Sequence, residues 1–407
     1  MGAVPKALQI VLTLVGFTAA ALAEEEHCLS CHGSPAGLIA GAESLGYRLP
    51  EGSQTKLVVK LREGSVHEGL LCGDCHPEAT EIPHPKSMGQ GNPCIACHEE
   101  VAATLQKSVH RDPLAEGSFR SQCWACHTAH DVRSPQDPAS SLAPQNVAKT
   151  CLQCHNKQEY LVGVHGRGVA LAGLDLAATC VSCHGGHDIL PADDPESNVA
   201  RTNVPGTCGN CHRRVTEMYL ASVHGKKLAE HNEDVPVCVD CHAAHATVDP
   251  KLPRFRSSSP TLCARCHANT TLAAKYGLRA EVFDTYVADF HGTTAELFRA
   301  VTPDQPLNKA VCYDCHGYHD VESVREVGAT GLQQRLLERC RVCHQQATER
   351  FLSAWTAHYT PDRERYPVIY YVRLFYQIVI PSTIGFFLLY IGLDIWGRRR
   401  RRRQYYA

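Results

Sequence analysis

Two long apolar stretches lie at the ends of the chain, and a more polar region separates them. The first, Ala7–Ala21, follows Lys6 and runs into the small residues of Ala21-Leu22-Ala23. A positive start, an apolar run and a small-x-small site are typical of a secretory signal peptide. We therefore predict a cleaved signal over residues 1–23. An uncleaved membrane anchor is the alternative, but the run is short for a membrane span.

The second stretch, Leu374–Leu393, has 20 residues with one glutamine and no charge, which is the length of a membrane-spanning helix. Pro381 inside it is tolerable in such a helix, and Tyr370, Tyr371, Tyr390 and Trp396 flank it as an interfacial belt would. We predict a transmembrane helix region over 368–396.

Six consecutive arginines, Arg398–Arg403, follow this stretch directly. Because positive residues stay on the cytoplasmic side, they predict a cytoplasmic tail over 397–407 and an exported domain over 24–365. The expected protein is single-pass in the cytoplasmic (inner) membrane, with its large domain on the periplasmic, extracytoplasmic side. A nucleic-acid patch is the alternative for the arginines alone.

The exported region is acidic. Of the 40 Lys and Arg and 42 Asp and Glu in the chain, the signal holds one lysine, and residues 366–407 hold seven arginines and one aspartate. Residues 24–365 therefore hold 32 basic and 41 acidic residues, a net charge of −9. A domain of this charge does not bind nucleic acid through its phosphates.

The composition changes the expected interior. The chain has 22 Cys and 24 His but only 28 aromatic residues, and 11 of these lie in 366–407. The remaining 17 are too few for large side-chain cores, although 44% apolar and 20% charged residues exclude a disordered chain. We expect something other than side chains to fill the interior.

Every cysteine belongs to a C-x-x-C pair, and a histidine follows every pair. The eleven motifs are Cys28/Cys31/His32, Cys72/Cys75/His76, Cys94/Cys97/His98, Cys123/Cys126/His127, Cys151/Cys154/His155, Cys180/Cys183/His184, Cys208/Cys211/His212, Cys238/Cys241/His242, Cys263/Cys266/His267, Cys312/Cys315/His316 and Cys340/Cys343/His344.

This spacing is that of c-type haem attachment, in which two thiols bond to the haem and the next imidazole becomes the proximal iron ligand. Zinc sites use C-x-x-C pairs but do not require a histidine after each one. Disulfides suit an exported protein but impose no such histidine either, and a thioredoxin-like motif would occur once. We predict eleven covalently bound haem c groups.

Thirteen histidines remain, and most fall into two sets. One set ends a segment upstream of a motif, as in Lys107-Ser108-Val109-His110; its members are His67, His110, His165, His224, His291 and, by local alignment, His358. The other set lies three residues past a motif histidine and comprises His130, His187, His245 and His319. His84, eight residues after His76, is predicted to replace the missing fifth member. His27 and His231 are spare.

The chain is thus an internal repeat of an upstream histidine, a C-x-x-C-H-x-x-H motif in the first position and a C-x-x-C-H motif in the second. Units begin at His67, His110, His165, His224 and His291, and the Cys28 motif is predicted to be an extra second-position motif. Six plus five distal histidines for eleven haems predict bis-histidine iron. Since His130 and its equivalents lie one helical turn from their own motif histidine, on the same face, each is expected to bind a neighbouring haem.

The predicted fold is mainly α with long loops, with a haem-packed multihaem cytochrome c core and one C-terminal transmembrane helix. The 384 residues after the signal provide about 35 residues per haem. We expect short helices at the motifs and before the distal histidines, little or no sheet, and Pro-rich links such as residues 134–138 and 191–195. The inserts 33–66 and 268–290 lack motifs and are either docking surfaces or padding.

With these motifs the chain resembles the multihaem c-type cytochromes. Its C-x-x-C-H-x-x-H units with an upstream Ser-Val-His are similar to those of the tetrahaem and octahaem tetrathionate/hydroxylamine-type superfamily, and the resemblance covers residues 27–358. It implies a helical, haem-packed fold, electron transfer, proximal roles for the motif histidines and distal roles for the repeat-matched ones. The chain departs from the pattern in its motif number and in the spacing after His76.

The function expected from these features is an electron conduit rather than an enzyme. The C-terminal tail resembles the anchors of periplasmic cytochrome subunits that sit beside a membrane cytochrome b or quinol oxidoreductase, and only about 30 residues separate Cys343 from Leu374. A membrane partner would exchange electrons near the last haem, and closely spaced haems would relay them to a soluble or outer-face acceptor.

The alternative is a multihaem reductase of the nitrite, hydroxylamine or tetrathionate type, which needs one haem with an open distal position. The family's marker for such a site, a lysine in place of the motif histidine, is absent from all eleven motifs. The histidine tally leaves no iron without a candidate ligand.

Overall fold

The computed structural model describes residues 27–49, 58–59, 63–84, 92–111, 123–354, 358, 360–364 and 366–405. The predicted signal peptide, 1–23, lies outside the described residues, as does part of the insert 33–66. All eleven C-x-x-C-H motifs lie inside them. The described part of the chain forms helices, short turns and long loops and contains no β-strand, which confirms the predicted fold class.

The chain divides into two compact units, and the first comprises residues up to 217 together with 227–249. Its helices are short, because most contain a single motif or the turn before one. They are Pro35–Ser44, Cys72–Cys75, Glu99–Leu105, Trp124–His127, Pro144–Leu152, Val164–Ala170, Cys180–His184, Val204–Gly209 and Cys238–His242, with 3₁₀ turns at Pro77–Thr80, Pro93–Ala96 and Gln158–Val162.

The second unit comprises residues 218–226 and 250 onwards. Its helices are longer, and they are Pro253–His267, Thr270–Tyr276, Val282–Ala288, Phe290–Val301, Cys312–His316, Val324–Cys343, Glu349–Ala354 and Pro367–Tyr405. Val324–Cys343 is interrupted at Gly328, whose φ of 68° is not helical. Two further helices, Arg213–Ala221 and Val223–Ala229, contain two of the points at which the chain passes from one unit to the other, and the third lies between residues 249 and 250.

The buried side chains of the protein are few and small. The largest ones that are fully buried are Val147, Val311, Pro205 and Ser108. In the second unit, Tyr286, Ala295, Leu307 and Val311 form a small core, and the Tyr286 hydroxyl donates to the Ala310 carbonyl at 3.0 Å. Such clusters are too small to stabilise a domain of this size by apolar burial alone.

A backbone link recurs between the upstream histidine segments and the motifs. The residue before the upstream histidine donates its N–H to the carbonyl that lies two residues past a C-x-x-C-H-x-x-H motif. The links are Val66 to Val132, Val109 to Ile189, Val164 to Thr247 and Val223 to Val321, each with an N···O distance of 2.8 Å. Each link passes over the nearest first-position motif and reaches the next one, so successive sequence repeats are interleaved in space.

Four of the five first-position motif helices share an N-terminal cap formed by the second variable residue of the motif, whereas the Cys123 motif has Ala125 at that place. The Asp74, Asp240 and Asp314 carboxylates accept the backbone N–H of the residue before the first cysteine at 2.7–2.8 Å, and Ser182 does the same at 3.0 Å. This local bond satisfies a backbone donor that a four- or five-residue helix would leave unpaired.

Two arginines join these caps to the preceding segment of the chain. Arg201 forms an ion pair with Asp240 at 2.9 Å, and Arg256 forms one with Asp314 at 2.8 Å. Arg256 also donates to the Leu307 and Lys309 carbonyls. Each arginine stands seven residues before a second-position motif, so the same contact ties that motif to the next first-position motif in both places.

Four of the five first-position helices end at the motif histidine, because the next residue has a positive φ, whereas the helix Cys72–Cys75 ends one residue before its motif histidine. Thr128, Gly185, Ala243 and Gly317 have φ values of 67°, 83°, 60° and 80°. The chain therefore turns away before the second histidine of C-x-x-C-H-x-x-H. Our argument that His130 lies on the same helical face as His127 was wrong, since no helix connects the two residues.

The C-terminal helix, Pro367–Tyr405, contains a candidate membrane span at Pro367–Arg401, with 35 residues and a mean hydropathy of 1.9 in its most apolar window. Its apolar side chains, including Phe386 and Leu389, are exposed. The helix starts one residue before the predicted region and continues through the arginine run. It is consistent with a single-pass membrane anchor.

The turn after the motif predicts a matched pair of glycine variants. Gly185→Ala should destabilise the holoprotein by about 1–3 kcal/mol, because its φ of 83° is strained for any residue with a Cβ. A Cβ there would also lie 2.7 Å from an Asp188 carboxylate oxygen. Gly186→Ala is the control, since its Cβ meets nothing within 4 Å. Thermal unfolding followed by circular dichroism of the haem absorption bands measures both, and equal melting temperatures would contradict the prediction.

Candidate metal centres

Ten of the eleven motif histidines each face one histidine from outside the motifs. The distances between ring centroids fall in a narrow range, from 5.8 to 6.4 Å. The pairs are His32 with His84, His76 with His130, His98 with His67, His127 with His187, His155 with His110, His184 with His245, His212 with His165, His267 with His224, His316 with His358 and His344 with His291.

This separation fits two imidazoles that bind one iron from opposite sides. A metal–imidazole nitrogen bond is about 2 Å long and a ring nitrogen lies about 1.1 Å from its centroid, so two such ligands place their centroids about 6.2 Å apart. Within the described residues, no group of three or more His, Cys, Asp and Glu side chains converges as a metal site. The residues therefore fit a covalently attached group whose iron takes one histidine on each face.

The pairing follows the two positions of the repeat. Each second-position motif histidine faces the upstream histidine of its own unit, as His155 faces His110. Three first-position motif histidines face the trailing histidine of the next C-x-x-C-H-x-x-H motif, as His127 faces His187. His130 likewise lies against His76 and not against His127.

Two predicted assignments differ from the structure. The Cys28 motif was expected to be a second-position motif, yet His32 faces His84, which follows the first-position motif at Cys72. By sequence, His358 belonged with the upstream histidines, but it faces the first-position histidine His316. His358 thus takes the place that the trailing histidine of a further repeat would occupy.

His242 and His319 are the remaining motif and trailing histidines. His242 belongs to the first unit and His319 to the second, whereas each of the ten ring pairs lies within one unit. The Tyr318 ring packs edge-on against His319 at 4.9 Å. The spare histidine His231 is exposed and has a φ of 61°.

The cysteines of consecutive motifs are neighbours in space. The thiol of the first cysteine of a second-position motif hydrogen-bonds to that of the next first-position motif, which joins Cys94 to Cys123, Cys151 to Cys180, Cys208 to Cys238 and Cys263 to Cys312. The bond from Cys94 lowers the pKa of Cys123 to about 5, and the pKa of Cys94 is raised in turn.

The 22 cysteines differ in their surroundings, although the sequence predicts one role, haem attachment, for all of them. None of them forms a disulfide in the described part of the chain, which includes every cysteine. The second cysteines of the motifs are mostly exposed to solvent, whereas the first cysteines are mostly half-buried. The half-buried second cysteines include Cys31 and Cys266, and the exposed ones include Cys97, Cys154, Cys211 and Cys241.

The exposure of these second cysteines bears on the predicted attachment. Cysteine is among the residue types that proteins bury most often, so repeated exposed thiols at one motif position fit a surface that an attached group would cover. Two of these thiols also lie near a cysteine of the adjacent motif. Burial is the main cause of the raised pKa of Cys126, and Cys154 adds to it; Cys211 likewise adds to the raised pKa of Cys183. The thioether bonds of all 22 cysteines stay a prediction.

Burial favours the neutral form of the paired histidines. It lowers the pKa of His224 to about 4, and it lowers the pKa of His127, His184 and His316, where neighbouring imidazoles add to the effect. A neutral imidazole is the form that binds a metal ion, so the environment already favours the ligating state at neutral pH.

Four of the non-motif histidines in the described part of the chain have their Nδ1 atom near an oxygen, and the longest of these distances is 3.8 Å, from His245 to the Glu159 carboxylate. Nδ1 of His84 lies 2.9 Å from the Glu81 carbonyl, that of His358 lies 3.2 Å from the Thr285 hydroxyl, and that of His291 lies 3.4 Å from the Asp289 carboxylate. A partner at Nδ1 orients the ring and leaves Nε2 for the metal.

Our sequence reasoning missed Thr285 and Asp289. Asp289 stands two residues before His291, where three other units have serine, and that difference was the available signal. Thr285 is 73 residues from His358 along the chain, so no local pattern could have indicated it.

Comparisons with known proteins give two family matches. A model described as a doubled CXXCH motif matches residues 231–272, which contain the motifs at Cys238 and Cys263. A model described as cytochrome c3 matches residues 65–156, which contain four motifs. No curated protein matches the chain. No solved structure matches it either.

The ring pairs predict the effect of removing one non-motif histidine. His187→Ala should leave the iron at His127 with a single imidazole and convert one low-spin centre to high spin in the electron paramagnetic resonance spectrum of the oxidised protein. Added imidazole should restore the low-spin signal. His231→Ala is the control and should leave the spectrum unchanged. A His187→Ala spectrum without new high-spin iron would contradict the pairing.

Proposed function

Because the chain is a multihaem c-type cytochrome, we propose that it is a membrane-anchored undecahaem electron carrier. In this proposal it relays electrons between a membrane quinol-oxidising or cytochrome b partner and a periplasmic or extracellular acceptor. Its exported domain lies on the periplasmic face of the cytoplasmic membrane, and the arginine tail lies in the cytoplasm.

The residues that would hold the haems are the motif side chains described above. The 22 cysteines would form the thioether attachments, the motif histidines would be the proximal ligands, and the facing histidines would be the distal ligands. Bound in this way, each haem supplies one-electron redox chemistry at its iron. The protein's contribution is to fix the spacing and the ligand on both sides.

The observation that carries the proposal is the adjacency of consecutive motifs, from the motif at residue 72 to that at 238 in the first unit and from 263 to 340 in the second. In the first unit, cysteines of the motifs that begin at residues 72, 94, 123, 151, 180, 208 and 238 interact with those of the next motif in turn. In the second unit the same holds for the motifs at 263, 312 and 340. Neighbouring attachment points favour transfer from one haem to the next over a single isolated centre.

The motif histidines give the same order. A second-position histidine helps to lower the pKa of the first-position histidine that follows it in four couples, which are His98 with His127, His155 with His184, His212 with His242 and His267 with His316. Each couple joins a second-position motif to the first-position motif that follows it. Within each unit, electrons would therefore pass from motif to motif in sequence order.

The C-terminal helix supports a membrane end to this relay. The last motif histidine, His344, is separated from Pro367 by 22 residues, which include the helix Glu349–Ala354. The span itself contains no histidine, so it offers no ligand for a haem b of its own. A separate membrane subunit would therefore carry the quinol chemistry.

The first test counts haems and spin states in the full-length protein. We expect a pyridine haemochrome assay to find eleven haems per chain, and paramagnetic resonance of the oxidised protein to find low-spin iron throughout. Far fewer haems would overturn the undecahaem assignment. A high-spin iron together with turnover of nitrite, hydroxylamine or tetrathionate would instead make the protein a reductase.

The second test concerns the membrane partner. In membranes of cells that produce the chain, a short-chain quinol should reduce the haems within the mixing time. The purified chain in detergent should be reduced by the same quinol much more slowly, by at least tenfold, because it lacks the quinol site. Equal rates in the two preparations would overturn the need for a partner. Excess dithionite, which needs no quinol site, is the control, because it measures the total amount of reducible haem in each preparation.

A further inference from the structure

The angle between the two imidazole planes differs systematically between the two positions of the repeat. At the first-position sites of His76, His127, His184 and His316 it is 40°, 15°, 8° and 35°, and the His32 site, which pairs as a first-position site, has 28°. At the second-position sites of His98, His155, His212, His267 and His344 it is 51°, 70°, 42°, 56° and 62°.

The two kinds of angle come from two ways of anchoring the non-motif histidine. At second-position sites such as that of His155, the ligand segment is held by the backbone link, in which Val109 donates to Ile189 at 2.8 Å. At first-position sites such as that of His127, the facing residue His187 follows the positive-φ turn at Gly185 within a motif loop. A second-position site thus takes its non-motif histidine from a segment held by a backbone hydrogen bond, and a first-position site takes its non-motif histidine from the residues after a tight turn.

Ring orientation matters because each imidazole donates electron density perpendicular to its plane. Two parallel rings act on the same iron d orbital and raise it above its partner, whereas two crossed rings raise both orbitals together. In the ferric state the parallel arrangement leaves the unpaired electron in a strongly raised orbital and so gives moderate g anisotropy. The crossed arrangement leaves two nearly equal orbitals and gives large g anisotropy. The axial ligands and their orientation are levers by which the protein tunes haem iron.

We propose that the protein contains two electronic classes of haem site, the near-parallel class at first positions, with ring planes 8° to 40° apart, and the crossed class at second positions, with ring planes 42° to 70° apart. The classes alternate in motif order from His76 to His212 and from His267 to His344. This inference rests on the haem ligation proposed above. An added electron enters a higher orbital at a near-parallel site than at a crossed one, so the crossed sites are reduced first. Each ferric site takes up one electron from an external reductant, and no ligand bond is broken.

Alternation would give the relay a defined half-reduced state. With the crossed sites reduced and the near-parallel sites oxidised, each stored electron has an oxidised site next to it along the motif order. Coulomb repulsion between electrons falls with their separation, and it is strong in a poorly solvated interior. The protein would therefore hold several electrons at once with less mutual repulsion than if adjacent sites filled together.

The test is low-temperature paramagnetic resonance of the full-length protein during a dithionite titration. We expect low-spin signals of moderate g anisotropy from the most nearly parallel pairs, such as His184 with His245, and of large g anisotropy from the most crossed pairs, such as His155 with His110, and we expect the large-anisotropy group to disappear first. A single group of low-spin signals, or loss of both groups together, would overturn the alternation while leaving bis-histidine ligation intact. Mostly high-spin iron would overturn the ligation itself.

Two variants assign the groups to positions in the chain. His110→Ala removes the ligand that faces His155 and should cost the large-anisotropy group one spin, because that pair is at 70°. His187→Ala removes the ligand that faces His127 and should cost the moderate group one spin, because that pair is at 15°. The opposite assignment in either variant would overturn the proposal, and the wild-type titration decides it without either variant.

Discussion

The fold depends on one distance, the separation of about 6 Å that two imidazoles need in order to bind the same iron. Ten histidine pairs meet it. The fully buried side chains are no larger than valine or proline, so apolar packing alone does not determine where the segments go. The short helices and long loops connect the ligand positions. The caps at Asp240 and Asp314 stabilise the first turn of the helices that contain the Cys238 and Cys312 motifs.

Because first-position pairs join one repeat to the next, the repeats are not independent modules. His127 is completed by His187, and His184 by His245, each from the following motif. The backbone links also join one repeat to the next, since the Val109 N–H donates to the Ile189 carbonyl. Stability in such an array resides in contacts between neighbouring repeats, as in solenoid proteins, although here the contact is a pair of facing histidines rather than an apolar face.

The sequence was informative wherever the chemistry is local. C-x-x-C-H spacing predicted the motif helices and the absence of strands, and the terminal apolar run predicted the long C-terminal helix. Partner choice was harder, because it is decided by tertiary contacts. The sequence before His358 resembles that before an upstream histidine, but the His358 ring faces His316 and its Nδ1 lies against the Thr285 hydroxyl. The sequence also contained no sign of the positive φ at Thr128 and Ala243, because neither residue is the glycine that usually marks such a turn.

The interleaved pairing has a consequence for how the protein is made. His130 follows His76 by 54 residues, and His187 follows His127 by 60. A chain exported N-terminus first, as proposed above, would expose each first-position site before its second histidine has arrived. Maturation would then leave unfinished centres near the front of the emerging chain until His358, which precedes the C-terminal helix, has followed.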